Sequence, residues 1–254
     1  FEHHDTTMDK ILTSHYEATL NRVGLEKVVL AVQDTTSLNY STHPETKGLG
    51  PIGSKQEGIV GLEVHDTMAF NVEGTPLGLL DVQCWARDPE DFGKKHRRHE
   101  VPIEEKESYK WLVSFRKAAE AQKRCPKTML ISVGDREADI YELFQLACKD
   151  SSGPKLLVRA ERDRLLTDGQ GHLWEELGKK PAAGMQILRV PRRGKRPARE
   201  AHLEVRFASV RLQPPKRKPD LKALSVWAIL AEEINAPDGI EPLKWMLLST
   251  VAVS

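Results

Sequence analysis

A chain of 254 residues, 39% hydrophobic and 30% charged, is long enough to bury a sizeable core and fits one large domain or a domain carrying an insertion. Its longest unbroken apolar runs, such as Val28–Val32, fall far short of the roughly 20 residues that cross a bilayer. No signal-peptide pattern opens it either, so a soluble, cytoplasmic protein with no membrane partner is expected.

The formal charge of +1 conceals an uneven distribution. Arg189–Lys218 holds eleven Lys and Arg against two Glu, a local +9 that leaves −8 elsewhere and suits a polyanion-binding face. Cys84, Cys125 and Cys148 are odd in number, far apart and without a Cys-x-x-Cys partner, which argues against a disulfide framework or a zinc knuckle. His3 and His4 lie in a polar terminal stretch and are given no role.

In chain order, Met8, Ile11, Leu12, Tyr16 and Leu20 recur at helical spacing, so a lead-in helix is expected over Thr7–Leu20 with Thr6 or Thr7 as its N-cap. Val28–Val32 is a β-branched and aliphatic run that gives way to Gln33-Asp34-Thr35-Thr36. It reads as a buried strand ending at Asp34. Asn39–Lys55 is a polar loop; Ile59–Val72 and Leu77–Cys84 read as two further strands of an antiparallel meander. Arg87–His99, with Lys94 to His99 all basic, reads as a solvated connection.

Pro102 suits a first helical position, with Glu104, Glu105 and Glu107 in the opening turns and Trp111, Leu112, Phe115 and Ala119 on the apolar face. A fourth strand, Thr128–Val133, delivers Asp135; the next helix buries Ile140, Leu143, Phe144 and Ala147, and Lys155–Arg159 is a fifth strand. The order β-β-β-α-β-α-β predicts an α/β fold, a mixed sheet with flanking helices. Past Arg164 the strands Leu203–Phe207, Val226–Ala231 and Lys244–Ser249, separated by Pro and Gly turns, read as a β-rich insertion.

Asp34 and Asp135 each follow a buried run, and carboxylates so placed suit Mg²⁺ or Mn²⁺, hard ions that take oxygen ligands and keep several waters. They are 101 residues apart, so only a fold that sets strands one and four side by side makes them co-ligands. Two-metal phosphoryl chemistry would then be the natural reading. The competing reading is structural: Asp caps turns and helices, and Asp139 serves as such a cap while Asp135 closes a turn. The Arg189–Lys218 block would grip phosphates, or be only an exposed basic loop. Trp245 beside Lys244 is either core or a platform for an unpaired base.

Taken together, several motifs resemble the insertion-sequence-four family of bacterial DDE transposases. They are Gln33-Asp34-Thr35-Thr36-Ser37-Leu38, Glu105-Lys106-Glu107-Ser108 with Lys110-Trp111, Asp135-Arg136-Glu137-Ala138-Asp139-Ile140, Arg193-Gly194-Lys195-Arg196-Pro197-Ala198-Arg199, and Leu230 to Asn235 through Pro242-Leu243-Lys244-Trp245. They run in order over nearly the whole chain. The resemblance implies a ribonuclease H-like catalytic core over residues 28–160, after a lead-in segment over 1–27 and before a β-rich basic insertion over 161–254.

It further implies cut-and-paste transposition in which a water activated by two metal ions nicks double-stranded DNA at the transposon end. The freed 3′-hydroxyl then forms a hairpin that is reopened for insertion into target DNA. By motif match Asp34 and Asp135 would be the first two catalytic acids and metal ligands, Trp245 would stack a flipped-out base, and Arg159, Lys244, Arg193, Lys195, Arg196 and Arg199 would face DNA. The parent protein would act as a homodimer in a synaptic complex.

Departures are equally visible. The family's third carboxylate lies on a helix with a Tyr, Arg, Glu, Lys signature downstream of the insertion, which this chain does not reach, and Glu232 and Glu233 precede Lys244-Trp245 and do not replace it. Glu161 stands where close relatives carry a basic residue. The start at Phe1 and the stop at Ser254, just after the strand-like run Trp245–Val253, suggest a piece of a longer protein that binds metal weakly and cuts poorly alone. A truncated, non-catalytic DNA-binding or inhibitory derivative, and a ribonuclease H-like nuclease of other substrate, are the alternatives.

Overall fold

The structure is a computed structural model that describes all residues except 1, 2, 4, 5, 44, 54–56, 91–100, 168, 195, 196 and 219. The chain forms two compact units, residues 1–133 with 152–154, and residues 134–151 with 155–254.

The first unit is a mixed sheet with two helices. Helix α1, Met8–Val23, starts where the Thr7 side chain accepts the Lys10 N–H at 3.3 Å, with Asp9 and Arg22 at the ends its dipole favours. Strand β1, Val28–Asn39, pairs in parallel with β5, Met129–Gly134, and antiparallel with β3, Val60–Phe70. On the far side of β3 lie β4, Pro76–Trp85, and the two-residue β2, Gly50–Pro51. Val29, Ala31, Ala69, Leu77, Leu80 and Leu130 form a core with Val23 of α1 and Ala118 and Ala121 of helix α2, Tyr109–Arg124. Close approach of α1 to β4 depends on Gly78, whose φ is +129°; a Cβ there would stand 2.3 Å from Thr19 Oγ1.

Two expectations change here. First, β1 does not end at Asp34 but runs on to Asn39, because β3 offers partners along its whole length, from Leu30↔Phe70 to Asn39↔Gly61. What ends near Asp34 is the pairing with β5, whose last match is Val32↔Val133. Second, the helix expected from Pro102 begins only at Tyr109. Ile103–Glu105 makes one 3₁₀ turn, Lys106 becomes extended, and the Glu107 carboxylate is gripped in bidentate fashion by Arg87 at 3.0 and 2.7 Å.

The second unit is antiparallel in its strands. Helix α3, Tyr141–Lys149, is followed by β6, Lys155–Arg159; helix α4, Leu173–Gly178; and strands β7, Gly184–Val190; β8, Arg199–Leu212; β9, Leu224–Glu233; and β10, Lys244–Ser249. The spatial order is β6-β10-β9-β8-β7, so the strand that closes the chain has neighbours on both sides. Leu156, Val158, Leu173, Leu177, Leu212, Leu230, Met246 and Leu248 are fully buried in it. The β-rich character expected past Arg164 is present, with α4 and β7 as additions.

No helix among the described residues is long and apolar enough to cross a membrane. All three cysteines are free thiols, Cys125 buried and Cys84 and Cys148 exposed. His4 and the Lys94–His99 cluster lie outside the described residues.

Candidate functional site

Strand alternation places Val29, Ala31 and Gln33 on the buried face of β1 and puts Asp34 on the exposed one. Asp34 Oδ1 accepts the Thr35 N–H at 2.8 Å, and among the described residues Oδ2 has no hydrogen-bond partner. Directly across the antiparallel ladder stands Asp66 of β3. Paired residues share a face, so two carboxylates look out side by side. Burial first, and the Asp34 charge second, raise the Asp66 carboxyl above its ordinary value. Asp66 was not singled out from sequence. Its signal is the period of two along Gly61–Ala69, in which Glu63, His65 and Thr67 occupy the buried parity and Asp66 the other.

Beneath Asp34 the buried face turns from apolar to polar. In register, Gln33 opposes Thr67, Thr35 opposes His65, and Ser37 opposes Glu63. His65 is fully buried and edge-on to Trp111, with ring centroids 4.6 Å apart. Its Nδ1 lies 2.8 Å from Thr35 Oγ1 and its Nε2 3.3 Å from Gln33 Oε1, and the Gln33 amide donates to Ser132 Oγ at 2.7 Å. Burial, with the Lys110 charge second, lowers its pKa from 6.5 to about 4, so the ring is neutral at physiological pH. Further along, Ser37 donates to Glu63 at 2.9 Å, and the nearly buried Glu63 meets Arg87 at 2.6 Å.

Asp135 lies two residues past Val133, as Asp34 lies two past Val32. It is exposed, and its Oδ1 accepts the Glu137 N–H at 2.8 Å, closing the 3₁₀ turn Arg136–Ala138. The turn-closing role weighed from sequence is thus present, and it occupies one of the two carboxylate oxygens. Asp139 is different: buried at 5% exposure, it accepts the N–H groups of Glu161 and Arg162 at 2.9 Å each and is forked by the buried Arg164, which lies against Tyr141 and Phe144. It does not cap α3, whose N-cap is Ile140. Asp139 instead ties the segment after β6 to the turn that begins at Asp135.

The residues expected to face DNA lie in the second unit. Arg159 and Trp245 stand together, guanidinium carbon 6.0 Å from the ring centroid, and Trp245 also packs against the Ala201, Leu203 and Ala231 cluster. Lys244 pairs with Glu232 at 2.8 Å and lies over Trp174. Arg193 is exposed at the end of the β7–β8 hairpin, and Lys195 and Arg196 lie outside the described residues. Arg199 has an internal partner, since its guanidinium forks the buried Glu233. Glu161 pairs with Arg136 at 3.4 Å, both more than half exposed. Among the described residues no group of three or more His, Cys, Asp and Glu stands close enough to hold a metal ion.

No protein-family model matches the chain. Among solved structures it aligns with a chain of a piggyBac transposase synaptic complex with hairpin DNA, at a TM-score of 0.36 and 8% identity. The alignment covers 96% of this chain but only 38% of that one. A likeness this loose leaves fold family and activity to be argued from the residues.

Proposed function

We propose that this chain supplies the catalytic core of a metal-dependent DNA transposase with a ribonuclease H-like fold, and that Asp34 and Asp135 are ligands to Mg²⁺ or Mn²⁺. The observation that carries the reading is the matched offset: each aspartate lies two residues beyond the last pair, Val32↔Val133, of two parallel strands. The donor set fits a hard cation. Both carboxylates are exposed, each keeps one oxygen outside the local hydrogen bond, and such ions complete their shell with water. When bound, such ions activate a water and neutralise charge on the phosphate undergoing in-line displacement.

The chain's own residues hold and orient. Asp34 is fixed by the Thr35 N–H, and Asp135 by the Glu137 N–H. Exposed Arg193, with Arg159 beside Trp245, offers cation and ring for a DNA strand and an extruded base. The finer chemistry, a freed 3′-hydroxyl attacking the opposite strand to leave a hairpin, rests on the motif resemblance.

A second reading, a non-catalytic DNA-binding or subunit-trapping protein, is favoured by the absence of a three-ligand group among the described residues. Metal-dependent nicking of double-stranded DNA separates the two. The full-length parent protein, carrying the third carboxylate, should with Mn²⁺ or Mg²⁺ leave nicks with 3′-hydroxyl ends, abolished in both Asp34→Asn and Asp135→Asn. Nicking that survives either substitution defeats the assignment. DNA binding that is indifferent to metal, with no nicking by the full-length parent either, selects the second reading.

A further inference from the structure

The side chains behind Asp34 do something the metal reading does not use. Gln33 (3% exposed), His65 (0%) and Ser132 (1%) are buried polar groups on three adjacent strands, β1, β3 and β5. Burying polar groups is unfavourable unless each is matched, and here each has a partner. His65 Nε2 lies 3.3 Å from Gln33 Oε1, and the ring also hydrogen-bonds to the backbone of Asp34 itself. His65 Nδ1 lies within hydrogen-bond distance of the Thr35 hydroxyl, at 2.8 Å. The Gln33 amide passes the chain on to Ser132 Oγ at 2.7 Å. Trp111 of α2 closes the ring in, the two planes steeply inclined.

Gln33 and Thr35 are the two residues that flank Asp34. One imidazole therefore holds β1 on both sides of the aspartate from the opposite face of the strand, while Ser132 secures the same place to β5. We propose that His65 is a positioning residue for Asp34: as a buried imidazole bridging Gln33 and Thr35, it fixes the face and angle at which the carboxylate is presented to a divalent cation. The proposal rests on the metal reading of Asp34 and adds a residue to it. Outer partners that orient a ligand are worth ~10- to 100-fold in metal affinity elsewhere, and the same range is expected here.

The test is a Mn²⁺ titration followed by electron paramagnetic resonance of the free ion. It compares wild type with Asp34→Asn, His65→Phe, His65→Gln, His65→Asn and Thr35→Val, each checked for folding by thermal unfolding. His65→Phe keeps a ring beside Trp111 but drops both hydrogen bonds, so it should bind Mn²⁺ ~10- to 100-fold more weakly. Gln can restore the link to Gln33 and Asn the link to Thr35; both should recover part of the loss, and Thr35→Val should lose part.

Phe, Gln and Asn variants that fold and bind like wild type overturn the proposal. Loss in Asp34→Asn with none in His65→Phe overturns the positioning role alone. Unchanged binding in Asp34→Asn overturns the metal reading, and the positioning role with it. If His65→Phe fails to fold, Gln, Asn and Thr35→Val carry the same comparison.

Discussion

At the scale of single residues, two titrating groups make the neighbourhood of Asp34 measurable. His65 is held neutral in the fold with a pKa of about 4, against 6.5 when unfolded. Above pH 6.5 neither state is protonated and stability is at its full value. As pH falls from 6.5 toward 4 the unfolded chain takes up the proton first, so stability declines, and below about 4 this contribution is flat. Denaturant unfolding as a function of pH should show this decline, and His65→Gln should remove it.

Asp66 has the opposite sign. Its raised pKa means that stability present below the ordinary 3.8 is lost as pH rises through the folded value, so at neutral pH its ionised form opposes folding. Asp66→Asn should therefore melt higher than wild type at pH 7, and added Mn²⁺ should raise wild type more than the variant. A higher melt for wild type would contradict this. These residues were hidden in the sequence because His65 and Asp66 sit inside an ordinary strand pattern. Only the register with β1 puts one under Asp34 and the other beside it.

At the scale of elements, strand and helix identity was largely legible, whereas their ends were not. Lys155–Arg159 reads as a strand because Leu156 and Val158 alternate with half-exposed neighbours, and that is the observed β6. Sequence alone ends β1 at Asp34 because a carboxylate and two hydroxyls interrupt its apolar run; the strand persists because backbone pairing with β3 needs no apolar side chain. Strand β7 escaped notice as an edge strand with Met185 and Ile187 about half exposed, and α4 because six residues bury only Leu173 and Leu177.

Two ties between elements carry predictions. Removing Asp139 leaves Arg164 buried without its main carboxylate, a loss of about 3–5 kcal/mol for a broken buried pair. Asp139→Asn should thus melt well below wild type, while the exposed Asp135→Asn should not. Equal melting of the two would show that the Asp139 fork contributes little. At the other tie, burial works against ionised Glu233, yet Arg199 and the Leu243 N–H lower its pKa below the ordinary 4.5. That stability is present above 4.5 and is lost as pH falls through the folded value. Arg199→Met should accordingly flatten the acid side of the stability profile.

At the scale of the whole molecule, a formal charge of +1 says little, whereas the local +9 of Arg189–Lys218 says more. Part of that excess is spent internally, on Glu233 by Arg199 and on Glu142 by Lys218, while Arg206 pairs with Glu204, one of the two glutamates already counted in the block. The number of phosphate contacts is therefore expected to fall well below eleven, and the slope of log affinity against log salt, about −0.9 per contact on duplex DNA, counts them. A slope near −10 would mean that these internal pairs open on binding. Charge counting from sequence shows the block but not its pairing with Glu142 and Glu233, because these come from α3 and β9.

The polar ladder shared by β1 and β3 has a bearing on how this region can vary over generations. Gln33 points inward and Asp34 outward only because every residue from Val28 onward keeps its place. Deleting or duplicating any one of them would turn the carboxylate into the protein and the amide out to solvent. A library covering Val28–Gln33 should thus yield many functional exchanges of one side chain for another, yet no functional members whose length differs by one.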